Sequence, residues 1–264
     1  MSATMSSAPS FLSAFGFTAE KEVEFAALLA DVDGFIAGGS ALSWYLGDAS
    51  PAGQDLDIWI RSHTLWNHEL QDEMEKQRVD PRYSSCRLGQ LLVDDYKHQF
   101  DRTEADREHI RRMYEFLGSL NYRDDITPER RHTWDRSAEL PYHTHPRFKN
   151  TVLKIYNLYD SSRNRKIQMI MYYGNVDPLG SFDLDLCCTA ARPAEGGFRL
   201  ELPPGVDEAQ IRARHMRIID LAHNVPDLPR RIQKYYSRGF RLVNAEGGEL
   251  SLEDALKLSI PFTV

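Results

Sequence analysis

Two aspartates on one short strand are the residues of this sequence best suited to chemistry. Side chains alternate along a strand, so Asp55 and Asp57 in DLDIWI are expected to share one face, about 7 Å apart at Cα. Two carboxylates this close repel, and burying them without a partner is costly. Magnesium is usually held by one or two carboxylates together with substrate phosphates. The pair therefore predicts a site for a divalent cation.

A glycine turn precedes this strand and supplies the complement to a cation. Gly38, Gly39 and Ser40 follow a short apolar strand and open the predicted helix ALSWYLG. Glycine lets the backbone approach a ligand closely, and the N–H groups of a helix start favour an anion. The Ser40 hydroxyl adds a further donor. The turn predicts a cradle for a phosphate chain that a metal would bridge to the two aspartates.

A third carboxylate is expected from the run SFDLDLCCTA. Its alternation predicts a strand with Asp183 and Asp185 on one face. Phosphoryl-type transfer often uses two metals about 3.5–4 Å apart, for which a third acid is useful. The local sequence gives no physical reason to choose between these two residues. If Asp185 is the ligand, Asp183 would orient it.

The remaining pattern predicts how the chain is organised. Residues 1–17 are interpreted as a flexible leader, and residues 18–205 as a core that carries a helical insert at about 63–140. The core opens with a helix at 18–31 capped by Thr18, and TVLKIYNLY and KIQMIMYY predict a hairpin. Residues 206–264 are expected to form a basic helical part packed on the core.

The bulk numbers exclude some classes of protein. The chain has 264 residues and a net charge of −7, which argues against coating nucleic acid with the whole surface but allows a local basic patch. No apolar run reaches the roughly 18 residues of a membrane span, so no membrane partner is expected. Cys86, Cys187 and Cys188 make no disulfide framework, which predicts a cytoplasmic or other reducing compartment.

A basic segment follows residue 210 and reverses the sign of the chain's charge. Lys234 and Arg238 are its best candidates for neutralising a triphosphate or an RNA backbone. The alternative is a solvated helix face with its aromatic residues packed inward. The sequence leaves both interpretations open.

The combination of a Gly-Gly-Ser turn, an Asp-x-Asp strand and a later acidic residue resembles the DNA polymerase beta-like nucleotidyltransferase superfamily. The matching motifs lie within Phe35–Ile60 and Ile167–Thr189. A narrower resemblance, carried by SFDLDLCC and RRIQKYYSRGF, is to nucleotidyltransferase-like proteins of large DNA viruses. The superfamily resemblance implies an α/β (α+β) fold with a mixed sheet flanked by helices, two Mg²⁺ or Mn²⁺ ions and an NTP donor. It also favours Asp183 over Asp185 as the third catalytic acid beside Asp55 and Asp57.

The function implied by the resemblance is transfer of a nucleoside monophosphate to a hydroxyl, with release of pyrophosphate. The acceptor stays open among an RNA 3′ end, a tRNA, a protein and a small molecule. One alternative is a catalytically inactive scaffold or regulatory protein of the same fold. Another is a phosphate-ester hydrolase that uses the same metals.

Overall fold

A mixed sheet flanked by helices forms the centre of the protein. The computed structural model describes residues 11–48, 55–65, 103–124, 151–202, 205–219 and 228–259. The helices are α1 (Ala19–Asp31), α2 (Gly39–Leu46), α3 (Glu104–Ser119), α4 (Glu208–Arg212), α5 (Leu228–Ser237) and α6 (Leu252–Ser259). The strands are β1 (Phe35–Ala37), β2 (Leu56–Arg61), β3 (Arg123–Asp124), β4 (Val152–Asp160), β5 (Arg165–Tyr172), β6 (Ala190–Ala194), β7 (Gly197–Glu201), β8 (His215–Met216) and β9 (Arg241–Leu242).

The strand order places β2 in the middle of the sheet. Seven strands follow the order β3-β4-β5-β2-β1-β6-β7, and β8 pairs with β9 in a separate parallel ribbon. Within the large sheet β2 runs parallel to β5, and the other neighbours are antiparallel. Asp57 therefore lies opposite Ala37 on β1 and Gln168 on β5. The predicted mixed sheet and the predicted β4–β5 hairpin are both confirmed.

The two faces of β2 pack in different layers. Leu56, Ile58 and Ile60 are buried in the cluster that contains the apolar side chains of α1 and α3. Trp59 alternates to the other face and packs in the cluster of α5. Burying side chains of this size contributes about 1.5–3 kcal/mol each. Because side chains alternate, Asp57 belongs to the face that α5 covers.

Local capping explains where the flanking helices begin. The Thr18 side chain accepts a hydrogen bond from Lys21 N at 3.2 Å, which confirms the predicted start of α1. Helix α3 begins with a capping box between Thr103 and Asp106, which satisfies two otherwise unpaired N–H groups. Both α3 and β3 fall inside the predicted helical insert, whose residues 66–102 and 125–150 lie outside the described residues.

The prediction of a flexible leader is wrong from residue 11 onward. Phe11–Phe15 form a short 3-10 helix, and Phe11, Leu12, Phe15 and Phe17 are buried. These apolar side chains extend the cluster beneath α1, where Phe17 and Phe25 pack with their ring centroids 5.0 Å apart. The composition of FLSAFGF fits this role because burying large apolar groups is favourable. Residues 1–10 lie outside the described residues.

The predicted strand SFDLDLCCTA is also wrong. Leu179–Ser181 and Asp185–Cys188 are 3-10 turns, Leu184 makes only an isolated bridge to Ile218, and β6 starts at Ala190. A turn hydrogen bond from Cys187 N to the Leu184 carbonyl replaces the ladder that a strand would use. The alternating leucines are buried by consecutive turns, which produce the same pattern as a strand over a short run.

The C-terminal part contains helices α4, α5 and α6, as expected, together with the β8–β9 ribbon, which was not expected. None of the helices in the described ranges has both the length and the apolar character needed to cross a bilayer.

Candidate active site

The glycine turn and Asp57 are in direct contact. Gly38 precedes α2 with φ +80°, and a Cβ at this position would lie 2.9 Å from Asp57 Oδ2. Only glycine tolerates both this backbone conformation and the close carboxylate. The first N–H groups of α2, from Gly39 onward, have no partner within their own helix. The start of α2, which follows β1, therefore lies against the Asp57 carboxylate on the neighbouring strand β2.

The surroundings of Asp57 disfavour its negative charge. Burial first and the nearby Asp55 carboxylate second raise the pKa of Asp57, the cations of Lys234, Lys166 and Arg231 act in the opposite direction, and the net result is a pKa of about 7. Because burial and a like charge outweigh three cations, the Asp55–Asp57 pair would gain from another positive charge between its oxygens. This is the environment expected of a cation site.

Asp55 is fixed by its backbone while its side chain stays accessible. The Ser40 hydroxyl, which is fully buried, donates to the Asp55 carbonyl and so joins the start of α2 to the start of β2. The Asp55 Oδ2 atom lies 3.6 Å from Lys166 Nζ. The hydroxyl proton of Ser40 is thereby used within the protein, in contrast to the expected role toward a phosphate. Its backbone N–H still belongs to the first turn of α2.

Gln168 on β5 connects the aspartates to Lys166. In the amide orientation that satisfies both ends, its N–H group donates to Asp57 Oδ1 at 3.2 Å. Its oxygen then accepts from Lys166 Nζ at 3.1 Å. A chain of hydrogen bonds therefore orients the Asp57 carboxylate from the side opposite Gly38.

Asp183 and Asp185 have different surroundings, and only Asp183 meets a cation of α5. Asp183 is 1% exposed, and its Oδ1 lies 2.6 Å from Arg231 Nη1. The direction of this ion pair falls outside hydrogen-bond geometry, so neither Asp183 oxygen accepts a well-directed hydrogen bond. The Asp185 Oδ1 atom accepts from Leu186 N at 2.7 Å and from Arg217 N at 2.8 Å. Asp185 therefore stabilises its own 3-10 turn.

Arg231 links the later acid to the first pair. Its charge partly opposes the rise in the pKa of Asp57 that burial and Asp55 cause. Its guanidinium contacts both Asp183 and Cys187 Sγ, the latter at 3.1 Å. In the described ranges, however, the carboxylate oxygens of Asp55, Asp57 and Asp183 do not gather within 4.8 Å of one another. The Asp55–Asp57 pair is a candidate site for one cation, whereas Asp183 is paired with Arg231. The role of Asp183 stays a prediction.

Helix α5 brings its predicted cations to the same face of the sheet. Lys234 is an exposed residue, and partial desolvation lowers the pKa of its ammonium, as does the charge of Arg238. Asp57 acts on Lys234 in the opposite direction, which places the two charges near each other. The Arg238 guanidinium lies 5.7 Å from the centre of the Tyr235 ring. Tyr235 is buried, as the alternative interpretation of this segment expected for its aromatic residues.

Three cations and amides of the site were not predicted from the sequence: Lys166, Gln168 and Arg231. A signal for the first two exists in KIQMIMYY, where two polar residues at positions i and i+2 open an otherwise apolar strand. Polar residues so spaced share one face, which is the face of Asp57 once β5 pairs with β2. Arg231 was visible only as one of several arginines in the basic segment.

Comparisons with known proteins give limited information about this chain. No family model matches it, and no curated protein matches its sequence. Two solved structures are similar, "The structure of CCA-adding enzyme apo form I" and "The complex structure of CCA-adding enzyme with CTP". The first has 12% identity and a TM-score of 0.42 over 90% of this chain and 41% of its own. The second has 12% identity and a TM-score of 0.43 over 94% and 44%.

This chain thus spans less than half the length of either CCA-adding enzyme structure. A likeness this distant establishes neither a family nor an activity for the chain.

Proposed function

We propose that this protein is a metal-dependent nucleotidyltransferase that moves a nucleoside monophosphate from an NTP to a hydroxyl acceptor. The observation that carries the proposal is the contact between Gly38 and Asp57, where a helix start meets a carboxylate pair that lacks sufficient positive charge. An anion cradle directly beside a cation site is what a metal-bound nucleoside triphosphate requires.

Under this proposal, each part of the site has a role in binding the metal or the nucleotide. Asp55 and Asp57 would hold Mg²⁺ or Mn²⁺, with Asp183 as the third acid if Arg231 moves aside. The backbone of Gly38, Gly39 and Ser40 binds phosphate oxygens, and the triphosphate charge is balanced by cations. These cations are Lys166, Arg231, Lys234 and Arg238. The bound metal supplies charge neutralisation at the reacting phosphate and lowers the pKa of the attacking hydroxyl.

The proposed reaction is a displacement at the α-phosphorus. The acceptor oxygen forms a new bond to the α-phosphorus and releases its proton to water, while the bond from that phosphorus to the oxygen that bridges to the β-phosphate breaks. Pyrophosphate leaves with that electron pair. Residues 18–205 would form the catalytic core, and residues 206–264 would contribute the α5 cations. An RNA 3′ end is one acceptor that these cations would suit, because they favour a polyanion.

Labelled NTPs test the proposal. The full chain is incubated with Mg²⁺ or Mn²⁺, each of four α-labelled NTPs, and RNA, tRNA, protein and small-molecule acceptors. Transfer of label to an acceptor with equimolar release of pyrophosphate supports a nucleotidyltransferase. Release of inorganic phosphate or free nucleoside monophosphate without transfer would instead indicate a hydrolase. Glu246→Ala, which removes an exposed carboxylate, is the control for variants of the aspartates.

One observation favours a catalytically inactive protein of the same fold as the second candidate. Arg231 pairs with Asp183, and Asp185 binds backbone N–H groups, so both later acids have structural partners. Calorimetry with MgATP, MgCTP, MgGTP and MgUTP tests whether the protein binds nucleotides, and the labelled-NTP assay tests whether it transfers them. Absence of binding at millimolar nucleotide, or binding without turnover across the acceptor panel, would favour the inactive scaffold and contradict the nucleotidyltransferase.

A further inference from the structure

Three side chains of metal-ligand type meet at the other end of β2. His63 lies in the segment that leaves β2, and Asp106 and His109 lie one turn apart on α3. One ligand atom of each lies within 4.8 Å of the other two. The chain from Asp57 to His63 is mostly extended at about 3.3 Å per residue, so about 20 Å separates this cluster from the proposed active site.

Asp106 has room for one further ligand on one oxygen. It is fully buried, and its Oδ2 accepts from Ser62 Oγ at 2.8 Å and from Thr64 Oγ1 and Thr103 N, both at 3.4 Å. Within the described residues its Oδ1 accepts a single hydrogen bond, from His63 N at 2.8 Å. A carboxylate oxygen has two lone pairs, so Oδ1 retains one for a metal.

The histidines supply an unpaired nitrogen and an access route. His109 Nδ1 is buried and has no hydrogen-bond partner among the described residues. Leaving a buried polar atom unpaired is unfavourable, so a ligand for this nitrogen would be stabilising. The His63 and His109 ring centroids are 5.3 Å apart with the planes tilted by 43°. His63 is exposed, which gives an ion a path from solvent.

We propose that His63, Asp106 and His109 form a binding site for a borderline divalent cation of the Zn²⁺ class. Two imidazoles and one carboxylate are a ligand set that zinc accepts, with a water molecule in the fourth position. The ion would join the segment after β2 to the first turns of α3. This site differs in kind from the Asp55–Asp57 pair, whose oxygen ligands suit Mg²⁺.

Metal titration of the full chain tests this site directly. Zn²⁺ binding is measured by calorimetry, and Co²⁺ is added as a probe whose visible absorption reports nitrogen coordination. The variants are His63→Gln and His109→Gln, and the matched control is His215→Gln, which alters a histidine that contacts Glu249 at 3.0 Å. His63→Gln changes an exposed side chain, so it keeps the test informative if His109→Gln fails to fold.

The expected result is one tight Zn²⁺ equivalent in the wild type and in His215→Gln. Each of the other two variants should bind that equivalent at least about 100-fold more weakly, because even the partners of metal ligands affect affinity by 10–100-fold. Zn²⁺ should also raise the melting temperature of the wild type more than that of His63→Gln. Tight binding that survives both substitutions, or no tight binding in the wild type, would overturn the proposal.

Discussion

A carboxylate with restricted access to water lies near each end of β2, and the fold stabilises the two in opposite ways. Asp106 accepts hydrogen bonds from fixed neutral donors: Ser62, His63, Thr64 and Thr103. Asp57 has charged neighbours in addition to the neutral Gln168 amide, and burial and Asp55 raise its pKa to about 7 against the nearby cations. Neutral donors stabilise a carboxylate without any ligand. A carboxylate pair whose negative charge exceeds that of the nearby cations is instead stabilised most by binding a cation. The first arrangement stabilises Asp106 even without the proposed metal, whereas the second leaves Asp57 dependent on a ligand.

Replacing each aspartate by asparagine should separate these roles. Asp57→Asn is expected to lower the nucleotidyl-transfer rate about 100-fold or more, as loss of a major electrostatic contribution does. It should not lower the free energy of unfolding, because the removed charge is disfavoured in the fold. Asp106→Asn should lower the free energy of unfolding by about 3 kcal/mol, because it places an amide among N–H and O–H donors.

The measurements are the labelled-NTP assay and urea unfolding of both variants, with Glu246→Gln as the control. If Asp57→Asn keeps the wild-type rate, the proposed chemistry is wrong. If Asp106→Asn is as stable as the wild type, the contrast between the two ends of β2 fails.

The sequence revealed most about elements whose pattern is local. The cap at Thr18 and the alternation of β4 and β5 predicted α1 and the hairpin, because each depends on neighbouring residues alone. The alternation around Asp183 was misleading, since two 3-10 turns bury alternate leucines as a strand would. Short apolar runs do not distinguish these cases by period.

The site was predictable in part for the same reason. Gly38 follows β1 and Asp57 lies on β2, which is the next strand in the chain, and the two strands pair directly, so the proximity of the two residues follows from this pairing. The approach of Arg231 and Lys234 depends on how α5 packs on the sheet, which no local pattern specifies. The His63 cluster was missed because its members come from two distant elements, although Asp106 and His109 show the spacing of one helical face.

The Gly38 contact can be tested against a second glycine of the same helix. Both Gly38 and Gly47 have positive φ, at +80° and +70°. A Cβ at Gly38 would meet Asp57 Oδ2, whereas a Cβ at Gly47 would meet no atom of the described residues within 4 Å. Gly47→Ala should cost about 1–2 kcal/mol of stability from its backbone alone. Gly38→Ala should cost about 3 kcal/mol, because strain at a glycine-only conformation adds to the clash.

Thermal and urea unfolding measure the stability of both alanine variants. The transfer assay is then run on each variant that folds. Only Gly38→Ala should reduce the transfer rate per folded molecule. Equal stability losses with equal rates in the two variants would show that the Gly38–Asp57 contact is not specific to the site.

The α5 cations should affect nucleotide binding more than catalysis. Lys234→Gln is expected to raise the KM for the NTP about 10-fold, since a hydrogen bond to a charged group contributes about 1.5–3 kcal/mol. Lys257→Gln on α6 is the matched control, because Lys257 pairs with the exposed Glu253 and Asp254. Steady-state kinetics on both variants provide the comparison. An unchanged KM in Lys234→Gln would remove α5 from the proposed nucleotide site.

A further expected effect is a pH dependence of stability that belongs to Asp57. Its pKa in the folded protein is raised from 3.8 to about 7, so between these values the folded state binds more protons than the unfolded state. The free energy of unfolding should therefore fall as pH rises from about 4 to about 7 and then level off. Burial is the main cause, with Asp55 second.

Subtracting the profile of Asp57→Asn from that of the metal-free wild type isolates this contribution from the other ionisable groups. The free energy of unfolding of the wild type, minus that of Asp57→Asn, should decrease steadily as the pH rises to 7. Millimolar Mg²⁺ should then recover stability in the wild type above pH 7 and leave Asp57→Asn unaffected, because a cation favours the ionised carboxylate. A flat difference profile would mean that the Asp57 charge is already neutralised by its own neighbours, and the contrast with Asp106 would lose its physical basis.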